Sequence, residues 1–325
     1  MNQQSNTRIA WIDWMKVICM YLVILGHFFP HGYVYIYVFN VPVFFILSGY
    51  LCKKEESHIL FLKKIARNYI LPLFFICIAM FIWNWFSWEQ NEKFIRSLYF
   101  LYYALIGSQK CLGTGWFIYT LIIIRVISHC SPSTTTSNLS LFCLFSIISI
   151  LLQHYNIHHF NAITNVAIAY PLFLIGHFFS KHKTIINNLH SIRTLYALSF
   201  ITIIAIYVCG NINGEVWVYN NDYGRSYLLF LTGSMSGTIL LYTISITMKE
   251  RFAKFIHILS IGNIITLGFH PIIIALIGHQ RGFIVYIISF IILISFYPIT
   301  VFAINHFPYI LGAINNNKKN ELKLY

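Results

Sequence analysis

Ten apolar windows of about twenty residues, the length a helix needs to cross a hydrocarbon core of roughly 30 Å, recur along the chain and leave it few possible folds. They run approximately over 14–31, 35–52, 68–87, 115–131, 139–154, 162–180, 194–210, 226–247, 257–278 and 283–305. A bilayer core offers no water to backbone amides, so windows of this kind are helices. The expected fold is an all-α polytopic membrane protein with about ten transmembrane helices. Composition agrees: 58% of the 325 residues are hydrophobic and only 10% are charged, and the mean hydropathy is +0.69. These values exclude a soluble globular domain. A further apolar piece, 97–107, is too short to span and reads as interfacial or re-entrant. Residues 1–10 are polar and lack a small-residue cleavage site, so the first span is expected to be retained as an anchor.

Lys and Arg orient the chain, because cytoplasmic loops carry an excess of them. With Arg8 inside, sixteen fall in inner segments, Arg125 among them. Five fall in outer segments (Lys93, Arg96, Lys110, Arg225 and Arg281), and Lys16 lies within a span. Both termini are therefore expected in the cytoplasm. The net charge of +13 then reflects topology and anionic head groups, not nucleic acid. No fixed-period repeat or linker divides the chain, which reads as one integral-membrane domain over 1–325 with short polar tails at 1–10 and 306–325.

Seven cysteines, six of them in predicted spans, give neither a disulfide framework nor a CxxC pair. His154, His158 and His159 share one outer turn without an acidic partner in metal-binding register, so no metal site is expected. No GxSxG elbow is present, and Ser48 has no local base, so covalent serine catalysis has little support.

The informative residues are those a bilayer should reject. Asp13, Lys16 and His27 all belong to the first span, where a charged centre costs at least ~2.5 kcal/mol unless it faces a cavity or a partner. At about 100° per residue, the steps from Lys16 to His27 return to within about 20° of the same helix face, about 16 Å further along. Asp13 joins that face as the (i, i+3) neighbour of Lys16. The competing reading is a snorkelling Asp13–Lys16 pair with His27 marking the outer boundary.

The second span reads FNVPVFFILSGY from Phe39 to Tyr50, with Pro42 breaking the helix ladder and small or polar groups at the inner end. A basic loop follows, placing Lys64 and Arg67 three apart before the next span. The order Lys16-x10-His27, FF-hydrophobic-x-SGY, Lys64-x-x-Arg67 before a proline-bearing span, Trp116-Phe117, and a late His270-Pro271 resembles the membrane acyltransferase-3 family. The closer likeness is to its fucose 4-O-acetyltransferase-like branch. The resemblance covers most of the chain and is strongest over 8–75.

That resemblance implies a multi-pass enzyme of the bacterial plasma (inner) membrane. It would transfer acetyl or another short acyl group from cytoplasmic acyl-CoA to a carbohydrate of the envelope. Acetyl-CoA is then a donor substrate, and no cofactor is bound permanently. Lys16 and His27 match the family's basic-x10-His pair, where arginine is the commoner first residue. Lys64 and Arg67 match its R-x-x-R, with Lys64 losing the bidentate fork for phosphate. His270 matches a late-span histidine more loosely.

Chemistry assigns separate tasks to these positions. The polyanionic head of acyl-CoA calls for cations at the cytoplasmic mouth, which suits Lys64 and Arg67, with Lys16 at the throat. Ordinary positive-inside charge is their other reading. A sugar hydroxyl needs a proton acceptor, and His27 is the candidate base, with His270 assisting or simply buried against a carbonyl. Asp13 is about 21 Å from His27 along the helix and cannot orient it. Glu215 and Asp222, in the polar and aromatic outer segment 211–225, are the available acids. Trp116 is a sugar-stacking candidate or an interface anchor, and Glu215 a sugar-binding one. A carrier or flippase for a lipid-linked or acylated saccharide is the alternative function. It shares the need for many spans but does not account for a CoA-like basic entrance.

Overall fold

The computed structural model describes residues 9–157, 161–182, 191–248, 250–278 and 280–312. Helices occupy almost all of them. They are α1 Ala10–Gly26, α2 Tyr33–Tyr37, α3 Asn40–Tyr50, α4 His58–Ile65, α5 Leu71–Ser87, α6 Lys93–Leu105, α7 Gln109–Leu112, α8 Trp116–Cys130, α9 Thr135–His154, α10 Asn161–Lys181, α11 Ile192–Asn213, α12 Tyr227–Met248, α13 Ala253–Ile277 and α14 Ile284–His306. Among the described residues the sole β pairing is one bridge between Trp217 and Asp222. Arg8, Lys318, Lys319 and Lys323, on which the placement of both ends rests, lie outside the described residues, as do His158 and His159.

Among the described residues, eight helical stretches are long and apolar enough to cross a membrane: Tyr33–Tyr50, His58–Phe86, Gly113–Cys130, Thr135–His154, Arg193–Asn213, Tyr227–Met248, Ala253–Ile277 and Ile284–His306. The chain is thus an all-α polytopic membrane protein. The two other windows expected to span correspond to α1 and α10, which are inner helices. α1 has 17 residues and is packed against α3, α12, α13 and α14. In α10 every residue from Val166 to Leu174 is buried, Pro171 included. Protein rather than lipid surrounds both helices, which is the setting that lets α1 carry Asp13 and Lys16. The short apolar piece expected at 97–107 is α6, an amphipathic helix of 13 residues that buries Phe100 against Phe81 and Trp88.

Close backbone approach explains the small residues at the inner end of α3. A Cβ on Gly49 would collide with the carbonyl of Phe173, and one on Gly176 with the carbonyl of Ile46. α3 and α10 therefore cross backbone to backbone, as small residues permit in membrane helices. The arrangement is reciprocal, each glycine facing a backbone carbonyl of the opposite helix.

Two prolines release carbonyls that distant hydroxyls recover. Pro42 has no N–H for the carbonyl of Val38, and the helix breaks there between α2 and α3. The Ser234 hydroxyl of α12 donates to that Val38 oxygen at 2.9 Å. Pro271 likewise leaves the Leu267 carbonyl without its ladder bond, and the Thr114 hydroxyl donates to it. Pro72 has the same effect between α4 and α5, where Ala66–Ile70 form a π-helical turn.

Candidate active site

A cavity of about 460 Å³ opens inside the bundle, a size ordinary for a small-molecule site. One wall is a stripe of α1 formed by Lys16, Met20, Val23 and His27. The spacing of four, three and four residues keeps these side chains on one helix face. α13 supplies the opposite wall with Ser260, Asn263, Ile264 and Leu267. Asn40 and Phe44 of α3, Tyr69 of the π turn, and Trp116, Phe117 and Leu121 of α8 complete the sides. Trp217 and Tyr219, in the loop after α11, close one end.

At the inner end Asp13 is held by α13. His257 Nδ1 lies 3.0 Å from one carboxylate oxygen, and the Ser260 hydroxyl donates to the other at 2.7 Å. The carboxylate that sequence spacing pairs with Lys16 therefore engages residues from the far end of the chain. The Asn263 amide donates to the Lys16 carbonyl at 3.1 Å, fixing the register of α1 against α13.

At the other end His27 ends α1 and is exposed into the cavity. His270 is fully buried beside it, with ring centroids 5.0 Å apart and planes inclined by 52°. His270 Nδ1 lies 2.8 Å from the Thr266 carbonyl, which only accepts, so Nδ1 carries the hydrogen and Nε2 is the acceptor. Among the described residues no group bonds that Nε2.

The outer loop is built to a fixed shape. Asn213 donates to the Tyr223 carbonyl at 2.6 Å and accepts from the Ser226 amide at 2.7 Å. Gln153 of α9 bonds both Gly224 and Tyr223, and buried Asn221 exchanges two bonds with Ser149. The strand-like turn between Trp217 and Asp222 then sets Trp217 against Tyr37, with ring centroids 5.0 Å apart and nearly perpendicular. Glu215 accepts from Trp217 Nε1 at 3.1 Å and from the Tyr33 hydroxyl. It braces the loop and is not part of the cavity wall.

The structure brings Lys16, His27 and Trp116 into one cavity and sets His270 behind His27. Trp116 is buried, so it is not a lipid-facing anchor. Lys64 and Arg67 are exposed and stand outside the wall, and Lys64 pairs with Glu55. Two residues after Arg67, on the opposite side of the turn, Tyr69 is the one that reaches the cavity. Asn40, Thr114, Asn263 and Tyr37 were not singled out by sequence reasoning. A polar residue next to a proline-bearing segment was the available signal for Asn40.

A half-buried cation and an imidazole stand at opposite ends of a largely apolar cavity inside a polytopic membrane protein. The chain belongs to the acyltransferase-3 family, described as an acyltransferase domain, which it matches over residues 9–314. No curated protein and no solved structure matches it. It is a multi-pass membrane acyltransferase.

Proposed function

We propose that the protein moves an acetyl or other short acyl group from cytoplasmic acyl-CoA to a hydroxyl of an envelope carbohydrate. The observation that carries this reading is the cavity wall on α1, with Lys16 and His27 about 16 Å apart and apolar Met20 and Val23 between them. A thioester on a flexible arm has this distribution of polarity. The acceptor is an envelope polysaccharide or its lipid-linked precursor, with specificity like that of the fucose 4-O-acetyltransferase branch. The bacterial inner membrane is the corresponding location.

In this reading the acyl-CoA enters at the Lys16 end, where the ammonium complements its negative charge. Lys64 and Arg67 contribute field at the mouth. The sugar lies between Trp116, Trp217 and His27, whose aromatic faces suit a pyranose ring. His27 accepts the hydroxyl proton as the oxygen attacks the thioester carbonyl carbon. The C–S bond then breaks, and the departing sulfur takes the proton from the imidazolium. His270 Nε2, an acceptor, favours the orientation in which a protonated His27 turns an N–H toward it.

The test is the mass of envelope glycans made with and without this chain, read beside transfer by purified protein supplied with acetyl-CoA. A gain of one acetyl mass that requires both chain and donor supports the proposal. Saccharide movement in liposomes that is independent of acetyl-CoA would favour the carrier.

A further inference from the structure

A second, smaller cleft lies at the other end of α8, lined by Lys53, Lys54, Arg125, Ser128, His129 and His177 among others. Arg125 is buried to more than nine-tenths, inside a helix long enough to span. Its terminal nitrogens are taken up by Cys52 Sγ and by the Lys53 carbonyl, the latter at 3.4 Å. Among the described residues its Nε is buried with no partner, and so are His129 Nδ1 and His177 Nδ1. Three nitrogens without partners thus belong to side chains around one cleft. A guanidinium N–H can only donate. His129 Nε2 already meets His58 Nδ1 at 2.9 Å, and its ring is stacked on Phe61 with centroids 3.9 Å apart.

Burying a guanidinium N–H without an acceptor is costly, and here it occurs among cations. Glu55 is the nearby carboxylate, and it is paired with Lys64. The Lys54 ammonium donates to the Ser131 carbonyl at 3.0 Å, and that of Lys181 to the Ser133 carbonyl at 2.9 Å, so both charges stand at the rim. The cleft offers about 30 Å³, roughly twice what one water needs, which suits a compact polyoxygen group and not an acyl chain.

We infer that this cleft binds a phosphate group, with Arg125 Nε, His129 and His177 as donors and Lys54 at its entrance. The inference stands on the cleft's own donors and does not require the acyl-transfer reading. The phosphate can be that of a nucleotide, such as the 3′-phosphate end of coenzyme A, or that of an anionic lipid head group, since both offer the same oxygens.

The experiment uses full-length protein in zwitterionic nanodiscs and titrates adenosine 3′,5′-bisphosphate by calorimetry. Parallel samples contain phosphatidylglycerol, and lipid retained through purification is measured. Bisphosphate binding that weakens about tenfold in Arg125→Gln and severalfold in His177→Gln, with both variants melting cooperatively, supports a nucleotide phosphate. Retained phosphatidylglycerol that is lost in the same variants, with no bisphosphate binding, supports a lipid phosphate. Should Arg125→Gln not fold, Arg125→Lys and His177→Gln decide the matter. Folded wild-type protein that binds neither ligand, or variants that bind either as well as wild type, would overturn the site. Arg125-dependent binding without acetyl transfer leaves the cleft standing and removes the proposed function. Transfer without such binding does the reverse.

Discussion

The rings of His27 and His270 lie 5.0 Å apart between centroids, one exposed into the cavity and the other fully buried behind it. With the Nδ1 hydrogen of His270 committed to the Thr266 carbonyl, this is a base candidate backed by a hydrogen-bond acceptor.

Replacing His27 with Gln keeps a polar side chain of similar reach but removes the proton acceptor. Turnover is expected to fall by roughly 10² or more, with donor binding retained. Purified His27→Gln protein transferring acetyl at a near-normal rate would rule out the base assignment.

His270→Ala is expected to cost about tenfold in turnover, and the double variant with His27→Gln should be no slower than His27→Gln alone. A cycle of four proteins tests this. Fully additive losses would mean that His270 does not act through His27.

The cations should rank by position. Lys16→Ala removes a charge from the cavity wall and is expected to raise the donor KM about tenfold, whereas Lys64→Ala, which breaks an exposed pair with Glu55, should change it less than about twofold. Arg67→Ala should fall between them. The reverse order in steady-state kinetics would move the donor entrance away from α1.

Trp217→Ala is expected to raise the acceptor KM about tenfold with little change in the donor KM, since its ring closes the end of the cavity near His27. Glu215→Gln retains an acceptor for Trp217 and Tyr33 and should be milder. Equal effects on both KM values in Trp217→Ala would point to collapse of the loop instead of a lost sugar contact.

Gly49→Ala and Gly176→Ala each place a methyl group against a facing carbonyl, so each should destabilise the protein by about 1–3 kcal/mol. Thermal melts in detergent read this directly. Wild-type melting in both variants would show that α3 and α10 separate without penalty.

The spans were legible because lipid imposes one rule on every window, and the Lys16–His27 face was legible because helical periodicity is local. What sequence spacing could not reveal lies in contacts between distant parts of the chain. Ser234 is 196 residues from Val38, and Thr114 is 153 from Leu267, so nothing near either hydroxyl marks it as the partner of a carbonyl freed by proline. Arg125 counted as one more positive-inside charge, because burial depends on which helices surround it. The loop after α11 was recognisable as aromatic. Its bracing by Ser149 and Gln153 depends on α9, some 70 residues earlier.

The Asp13 contacts also bear on biosynthesis. The acid leaves the ribosome early in α1, but His257 and Ser260 follow 244 and 247 residues later. At about 5–20 residues per second, the helix must wait roughly ten to fifty seconds for those partners. During that interval a carboxylate and an ammonium reside in a helix that ends up with no lipid face. The centre of the bundle is thus translated well before the residues that hold it, and chains cut before α13 should be substrates for membrane quality control.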